Sequence, residues 1–240
     1  MEGHAPLVPR RVTADGPRAP VASYRHTGIL VAILIGVAAV GALTRTGVQP
    51  SRLSPREVFP FYISIVAVEG ALLYYVSRGI RNTGTKLADL VGGRWNSPRD
   101  IARDVLIAAI LWTIWVMINW LISPLLPSSA GPVVNTFLPR GVAQSVLWIV
   151  VSVAAGLAEE ITFRGYLQRQ AIAFTSSPAI AIVAQAVLFG ISHGYQGLTT
   201  CLRITIYGIL LGVLAQWRRS LRPGIIVHAW TDVAAGILRV

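Results

Sequence analysis

The sequence predicts an all-α protein, a polytopic bundle of transmembrane helices, from two observations. First, 54% of the 240 residues are hydrophobic and only 13% are charged, whereas soluble domains carry about 25% charged residues. Second, apolar runs recur along the chain, and most approach the length of about 20 residues that a helix needs to cross a bilayer. The single cysteine, Cys201, excludes an internal disulfide framework.

The apolar runs predict about seven spans of this kind, with six or eight as the alternatives. Residues 1–27 are rich in Pro, Arg and Ala, and we expect them to form a disordered basic tail in the cytoplasm. Residues 28–140 are predicted to hold the N-terminal transmembrane helices, and residues 141–240 a second unit that carries the functional residues. The predicted spans are 28–44, 58–78, 102–123, 141–163, 178–193, 201–217 and 223–238.

The net charge of +11 indicates contact with a membrane surface rather than with nucleic acid. The basic residues lie mainly between the apolar runs, where they set topology and meet anionic lipid. When the N-terminus is placed in the cytoplasm, most of the 21 basic residues fall on the cytoplasmic side. We therefore expect a multi-pass protein of the cell membrane with a cytoplasmic N-terminus, with lipid as a partner and no nucleic-acid partner.

Charged residues interrupt the fourth predicted span at the run EEITFR. An ionisable residue at the centre of a membrane helix costs about 2.5–3.5 kcal/mol, so such a cluster indicates a functional site. Glu160 and Arg164 are four residues apart and can pair along one helix face. Glu159 is then rotated away by about 100° and is available as a general base. The alternative interpretation is a structural ion-pair network at a helix end.

Two further clusters follow on later helices. The run FGISHG ends with His193, and the run HAWTD places His228 and Asp232 four residues apart on one face of the last helix. In isolation each has a structural interpretation, as an interfacial histidine or a helix-stabilising pair. Together with Glu159 they would be least costly around one shared, hydrated cavity. A carboxylate base, two imidazoles and a further carboxyl group around water are suited to hydrolysis.

Two other functions compete with this interpretation. Residues 190–194 match G-x-S-x-G, which would make Ser192 the nucleophile and His228 the base of a serine intramembrane protease resembling rhomboids. That motif needs a strand–turn–helix context, and its flanks here are apolar and helical. A proton-coupled transporter is the other hypothesis, because Glu69 lies within an apolar span and buried Glu and His also suit proton relays. We find no inverted repeat of the kind transporters use.

The three clusters, in this order on successive helices, resemble the motifs of the CPBP family. This family comprises CAAX prenyl endopeptidases of the Ras-converting type and bacterial relatives with an Abi domain, which are tied to bacteriocin processing and immunity. Residues 141–240 would then form a CPBP/Abi-like protease core. The motifs are EExxxR (Glu159, Glu160, Arg164), FxxxH (Phe189, His193) and HxxxD (His228, Asp232).

The resemblance implies an all-helical intramembrane endopeptidase. Its substrate would be a peptide or protein, either C-terminally prenylated or a leader peptide. By this analogy Glu159 activates the attacking water with the assistance of His193, while His228 and Asp232 hold the oxyanion or orient the water. The supporting residues are Glu160, Arg164 and Phe189. A non-catalytic immunity or scaffold protein of the same family is the alternative.

Asp232 stands where the prenyl endopeptidases have Asn. An ionised Asp cannot donate to an oxyanion, so Asp232 would stay protonated, orient His228 or help to bind a metal. Bacterial relatives are often labelled metalloproteases, and two His with two carboxylates could ligate zinc. We favour catalysis without a cofactor, because the sequence contains no HExxH pair. The ligands of a zinc ion would be Glu159, His193, His228 and Asp232.

The predicted span boundaries place two of the site residues at different depths in the membrane. They put Glu159 near the cytoplasmic end of the fourth span and His193 near the outer end of the fifth. For the two side chains to meet, either the fourth helix runs on past Arg164 or residues 165–178 re-enter the membrane.

Overall fold

The computed structural model describes residues 19–44, 53–129 and 134–238. Within these ranges the chain is helical and contains no strand, which confirms the predicted all-α class. A π-helix, Glu160–Leu167, joins α5 to α6. The helices are α1 (Tyr24–Thr44), α2 (Pro55–Ile80), α3 (Leu87–Val91), α4 (Pro98–Ile122), α5 (Val142–Glu159), α6 (Gln168–Thr175), α7 (Pro178–Ser192), α8 (Leu198–Arg218) and α9 (Arg222–Ile237).

Each predicted span contains a helix, but these helices differ in length. The helices α7 and α9 have 15 and 16 residues, fewer than the about 20 that a direct crossing needs. The chain is a multi-pass membrane protein. In the described part of the chain, the helical segments long and apolar enough to cross a membrane are Tyr24–Thr44, Arg56–Thr83, Pro98–Ile122, Val142–Thr175 and Leu198–Arg218.

The structure corrects the boundary of the predicted N-terminal tail, 1–27. Residues 1–18 lie outside the described residues, but α1 already begins at Tyr24. Just before α1, the backbone N–H of Val21 donates to Gln170 Oε1 at 2.6 Å, and Ala22 is buried. The end of the predicted tail is therefore fixed against α6, because a glutamine side chain of α6 satisfies its backbone groups.

The helices α5 and α6 and the π-helix between them form one continuous helix of 34 residues, Val142–Thr175. The sequence predicted a span that ended at residue 163. A helix of this length extends for about 50 Å, well beyond the hydrocarbon core of about 30 Å. Glu159 is the last residue of the 18-residue α5, so it lies at the middle of the long helix. This confirms the first of the two alternatives, a fourth helix that runs on past Arg164.

Close packing of α9 against α5 positions the polar residues of both helices. A Cβ atom at Gly156 would lie 2.9 Å from the backbone nitrogen of Ala229, so the two helices could not approach this closely with any larger residue at 156. The indole Nε1 of Trp148 donates to the carbonyl oxygen of Asp232 at 2.9 Å. These contacts hold α9, with His228 on it, against the junction between α5 and the π-helix.

Candidate active site

Glu160 and Arg164 form the buried ion pair that their spacing predicts. Arg164 Nη1 donates to Glu160 Oε1 at 2.8 Å, and both side chains are completely buried. Arg164 Nη2 donates to the carbonyl oxygen of Gly208 at 3.4 Å. The guanidinium also lies 4.3 Å from the centroid of the Phe189 ring, a distance suited to a cation–π interaction. The pair is therefore supported from two further helices, α7 and α8.

The pair lies within the π-helix Glu160–Leu167, all eight residues of which are buried. At its end the backbone N–H of Gln168 donates to the carbonyl oxygen of Phe163, five residues earlier. Single π-turns inside α-helices are frequent at functional sites. The sequence does not predict this feature, because the residues EEITFRGYL are equally compatible with an ordinary α-helix.

His228 lies between the two glutamates that are adjacent in sequence. Its Nδ1 is 3.0 Å from Glu160 Oε1, and its Nε2 is 3.3 Å from Glu159 Oε2. Glu160 Oε1 also accepts from Arg164, as an ionised carboxylate does, so Nδ1 of His228 is a donor. Nε2, on the other side of the ring, lies within ion-pair distance of the Glu159 carboxyl group. This arrangement is an acid–base pair, which the sequence did not predict because it assigned Glu159 and His228 separate tasks.

The carboxyl groups around His228 differ in their exposure to solvent. The side chains of Glu159 and Asp232 are 17% and 36% exposed, whereas that of Glu160 is fully buried. Asp232 Oδ2 lies 3.9 Å from His228 Nε2, within ion-pair range but too far for a hydrogen bond. This confirms that His228 and Asp232 face the same side of α9. The Nε2 side of the imidazole is therefore the side that a reactant could approach.

His193 does not join the cluster directly. Its Nδ1 donates to the carbonyl oxygen of Phe189 at 2.8 Å. The Phe189 ring lies between the two imidazoles, with its centroid 5.0 Å from that of His193 and 5.7 Å from that of His228. Within the described ranges, no hydrogen bond or ion pair joins His193 to Glu159 or His228. The predicted contact between His193 and Glu159 is therefore not formed in this structure.

Ser192 has the environment of a helix-end residue. Its hydroxyl group donates to the carbonyl oxygen of Phe189 at 2.7 Å and lies 3.3 Å from His193 Nδ1. Among the residues that the structure describes, no hydrogen bond connects Ser192 with His228. The segment is helical rather than a strand–turn–helix. The described structure thus lacks the Ser192–His228 dyad that the serine protease hypothesis named.

Glu69 on α2 lies next to the candidate site, although the hydrolysis hypothesis gave it no role. It is buried, and its Oε2 has no hydrogen-bond partner in the described structure. Glu69 interacts electrostatically with Glu159, His228 and Asp232. The sequence signal was a single carboxylate in an apolar span. Its neighbours could not be predicted, because they are far away along the chain.

The predicted zinc ligands do not assemble into a metal site. Over the described ranges, no group of three or more His, Cys, Asp or Glu residues is arranged to hold a metal ion. Within the described ranges, no hydrogen bond or ion pair joins His193 to the other three residues. The donor set does not fit zinc, so we derive no step through a metal, and catalysis without a cofactor stays a prediction.

The C-terminal part of the chain matches a known protein family. The family model described as Type II CAAX prenyl endopeptidase Rce1-like matches residues 141–234. This segment contains all seven residues of the three sequence motifs and the helices that carry them. No curated protein and no solved structure shows a significant match. The match confirms the resemblance that the three motifs indicated.

Proposed function

We propose that this chain, whose residues 141–234 belong to the Type II CAAX prenyl endopeptidase Rce1-like family, is an active endopeptidase that uses Glu159 to activate water. The match supports, at the level of the family, a membrane protease of the CAAX type that acts on peptide or protein substrates. The contact between Glu159 and His228 Nε2, on the accessible side of a sealed ion pair, is the observation that carries the finer proposal.

The first step is attack by water on the scissile carbonyl carbon. In this step His228 is an imidazolium with a hydrogen on Nε2, and Glu159 is a carboxylate that can accept a proton from water. As that proton moves to Glu159, the water oxygen bonds to the carbonyl carbon and the carbonyl oxygen becomes an oxyanion. The imidazolium of His228 donates from Nε2 to this oxyanion, while Nδ1 remains bonded to Glu160.

In the second step, the carbon–nitrogen bond of the tetrahedral intermediate breaks. Glu159 returns its proton to the departing amine nitrogen, which leaves the new carboxyl terminus and restores the glutamate. Asp232, 3.9 Å from Nε2, supports the imidazolium by its negative charge. Of the three roles that the sequence left open for Asp232, we propose the one that acts on His228, here through its charge rather than through a hydrogen bond.

The position of the site also constrains the substrate. Glu159 lies at the middle of a helix about 50 Å long, so a scissile bond must reach into the membrane-embedded part of the protein. A peptide with an apolar or lipidated end meets this requirement. We propose a cell-membrane location with the N-terminus in the cytoplasm, as the charge distribution favours, and either a prenylated peptide or a leader peptide as substrate.

The proposal is tested by mapping new peptide termini by mass spectrometry in membranes of cells that carry wild type, Ser192→Ala or His228→Ala. We expect termini that depend on the wild-type protein to persist with Ser192→Ala and to disappear with His228→Ala. A serine mechanism predicts that both variants lose them. Termini that persist in both variants, at equal expression, would instead establish a protein without proteolytic activity.

Proton-coupled transport is the second candidate function, and the buried carboxyl group of Glu69 beside an acid–base cluster is the observation that favours it. In liposomes containing the purified protein, we expect no proton flux driven by added peptide. We expect Glu69→Gln to lower the peptide cleavage rate by less than about tenfold, since Gln keeps the shape of the side chain and Glu69 touches no reacting atom. A peptide-driven proton flux that Glu69→Gln abolishes would support transport instead.

A further inference from the structure

A polar cavity apart from the candidate active site has Arg164, the ion-pair partner of Glu160, in its lining. It lies where the end of α8 and the start of α9 meet the π-helix and α6, and it has a volume of about 280 Å³. Three arginines line it, together with uncharged residues, and no Asp or Glu of the described chain does so. The polar lining residues are Arg164, Gln168, Arg169, Gln216, Arg219 and Ser220.

Arg164 forms part of the wall of this cavity. Its two terminal nitrogens donate to Glu160 and to the carbonyl oxygen of Gly208, but Nε has no partner among the described residues. The side chain is completely buried, and a buried donor without an acceptor costs free energy. Nε is enclosed by the protein, so Arg164 would act on a ligand in the cavity through its charge.

The groups around the cavity carry positive charge, and at least one of them has a fixed position. The guanidinium of Arg169 donates to the carbonyl oxygens of Asp89 and Leu90, which fixes its position beside the cavity. Arg219 follows the last residue of α8. The 16-residue α9 begins one residue after the cavity-lining Leu221, so the positive end of its dipole lies at the same place. Several fixed donors and a net positive charge are the features that bind phosphate groups.

From this cavity we infer a binding site for a phosphate-bearing anion, with the headgroup of an anionic phospholipid as its favoured source. The cavity lies at the ends of membrane helices, where basic residues meet lipid headgroups. Two exposed tryptophans, Trp95 and Trp217, lie at the same end of the molecule, and tryptophan is enriched at the level of the headgroups. The inference is independent of the protease activity.

The test measures lipid binding by native mass spectrometry on the purified full-length protein. Dioleoylphosphatidylglycerol and dioleoylphosphatidylcholine are compared for wild type, Arg219→Gln and Arg99→Gln. Arg99 is an exposed arginine at the start of α4, outside the cavity, so Arg99→Gln is the matched loss of one charge. Arg164 is left unchanged because it supports Glu160.

We expect wild type to bind phosphatidylglycerol more tightly than phosphatidylcholine and Arg219→Gln to weaken that binding about fivefold. Arg99→Gln should bind like wild type. A parallel thermal-unfolding series with inorganic phosphate distinguishes the two sources. If phosphate alone raises the unfolding temperature and Arg219→Gln removes this effect, the ligand is free phosphate. An equal effect of both substitutions, or none of either, would overturn the proposed site.

Discussion

Glu159→Gln is expected to lower kcat for peptide cleavage by about 10²–10⁴-fold, the usual contribution of a general base. Gln has the shape of Glu, but it cannot take a proton from water. Because the side chain is partly exposed and lies outside the buried ion pair, the substitution should leave the fold intact. The measurement is kcat and KM of the purified protein with a peptide identified from the new termini.

Asp232→Asn is the matched control for this result. It also changes a carboxylate to an amide at the accessible face, and the prenyl endopeptidases that the sequence resembles have Asn at this position. We expect Asp232→Asn to retain most of the activity, with the loss confined to the support that Asp232 gives to His228. If Glu159→Gln cleaved at the wild-type rate while Asp232→Asn was inactive, Asp232 rather than Glu159 would be the base.

The residues of this site could be predicted from the sequence because their signals are local. The spacing of four between Glu160 and Arg164, and between His228 and Asp232, gives each pair one helix face. Both pairs are confirmed, at 2.8 Å and 3.9 Å. The need to bring buried ionisable groups together also predicted, correctly, that Glu159 lies near His228.

The contacts between helices could not be predicted in the same way. The bridge from Glu159 through His228 to Glu160 depends on the π-helix and on the close approach of α9 that Gly156 permits. Neither feature has a distinct hydropathy pattern. The place of His193 was predicted incorrectly for a related reason. A spacing of four puts His193 and Phe189 on one face of α7, but the bulk of the Phe189 ring then separates His193 from His228.

The buried ion pair between Glu160 and Arg164 should contribute strongly to the stability of the protein. Arg164→Met is expected to destabilise the protein by about 3–5 kcal/mol, because it leaves the buried Glu160 carboxylate with His228 as its remaining partner. The double variant Glu160→Gln/Arg164→Met should unfold at a higher temperature than Arg164→Met alone, since it removes the uncompensated charge as well. The measurement is thermal unfolding in detergent, followed by the loss of helical circular dichroism.

Arg99→Met is the control for the change of arginine to methionine, and its exposed position predicts an effect on stability within about 0.5 kcal/mol.

Measuring peptide cleavage separates the contribution of the ion pair to stability from its contribution to catalysis. In the double variant the fold recovers, but Gln at 160 no longer offers a carboxylate to His228 Nδ1, so the imidazolium is less supported. We therefore expect the double variant to be stable and slow. A double variant that recovered cleavage together with stability would show that Glu160 and Arg164 serve the fold alone, and the catalytic part of the cluster would then be limited to Glu159, His228 and Asp232.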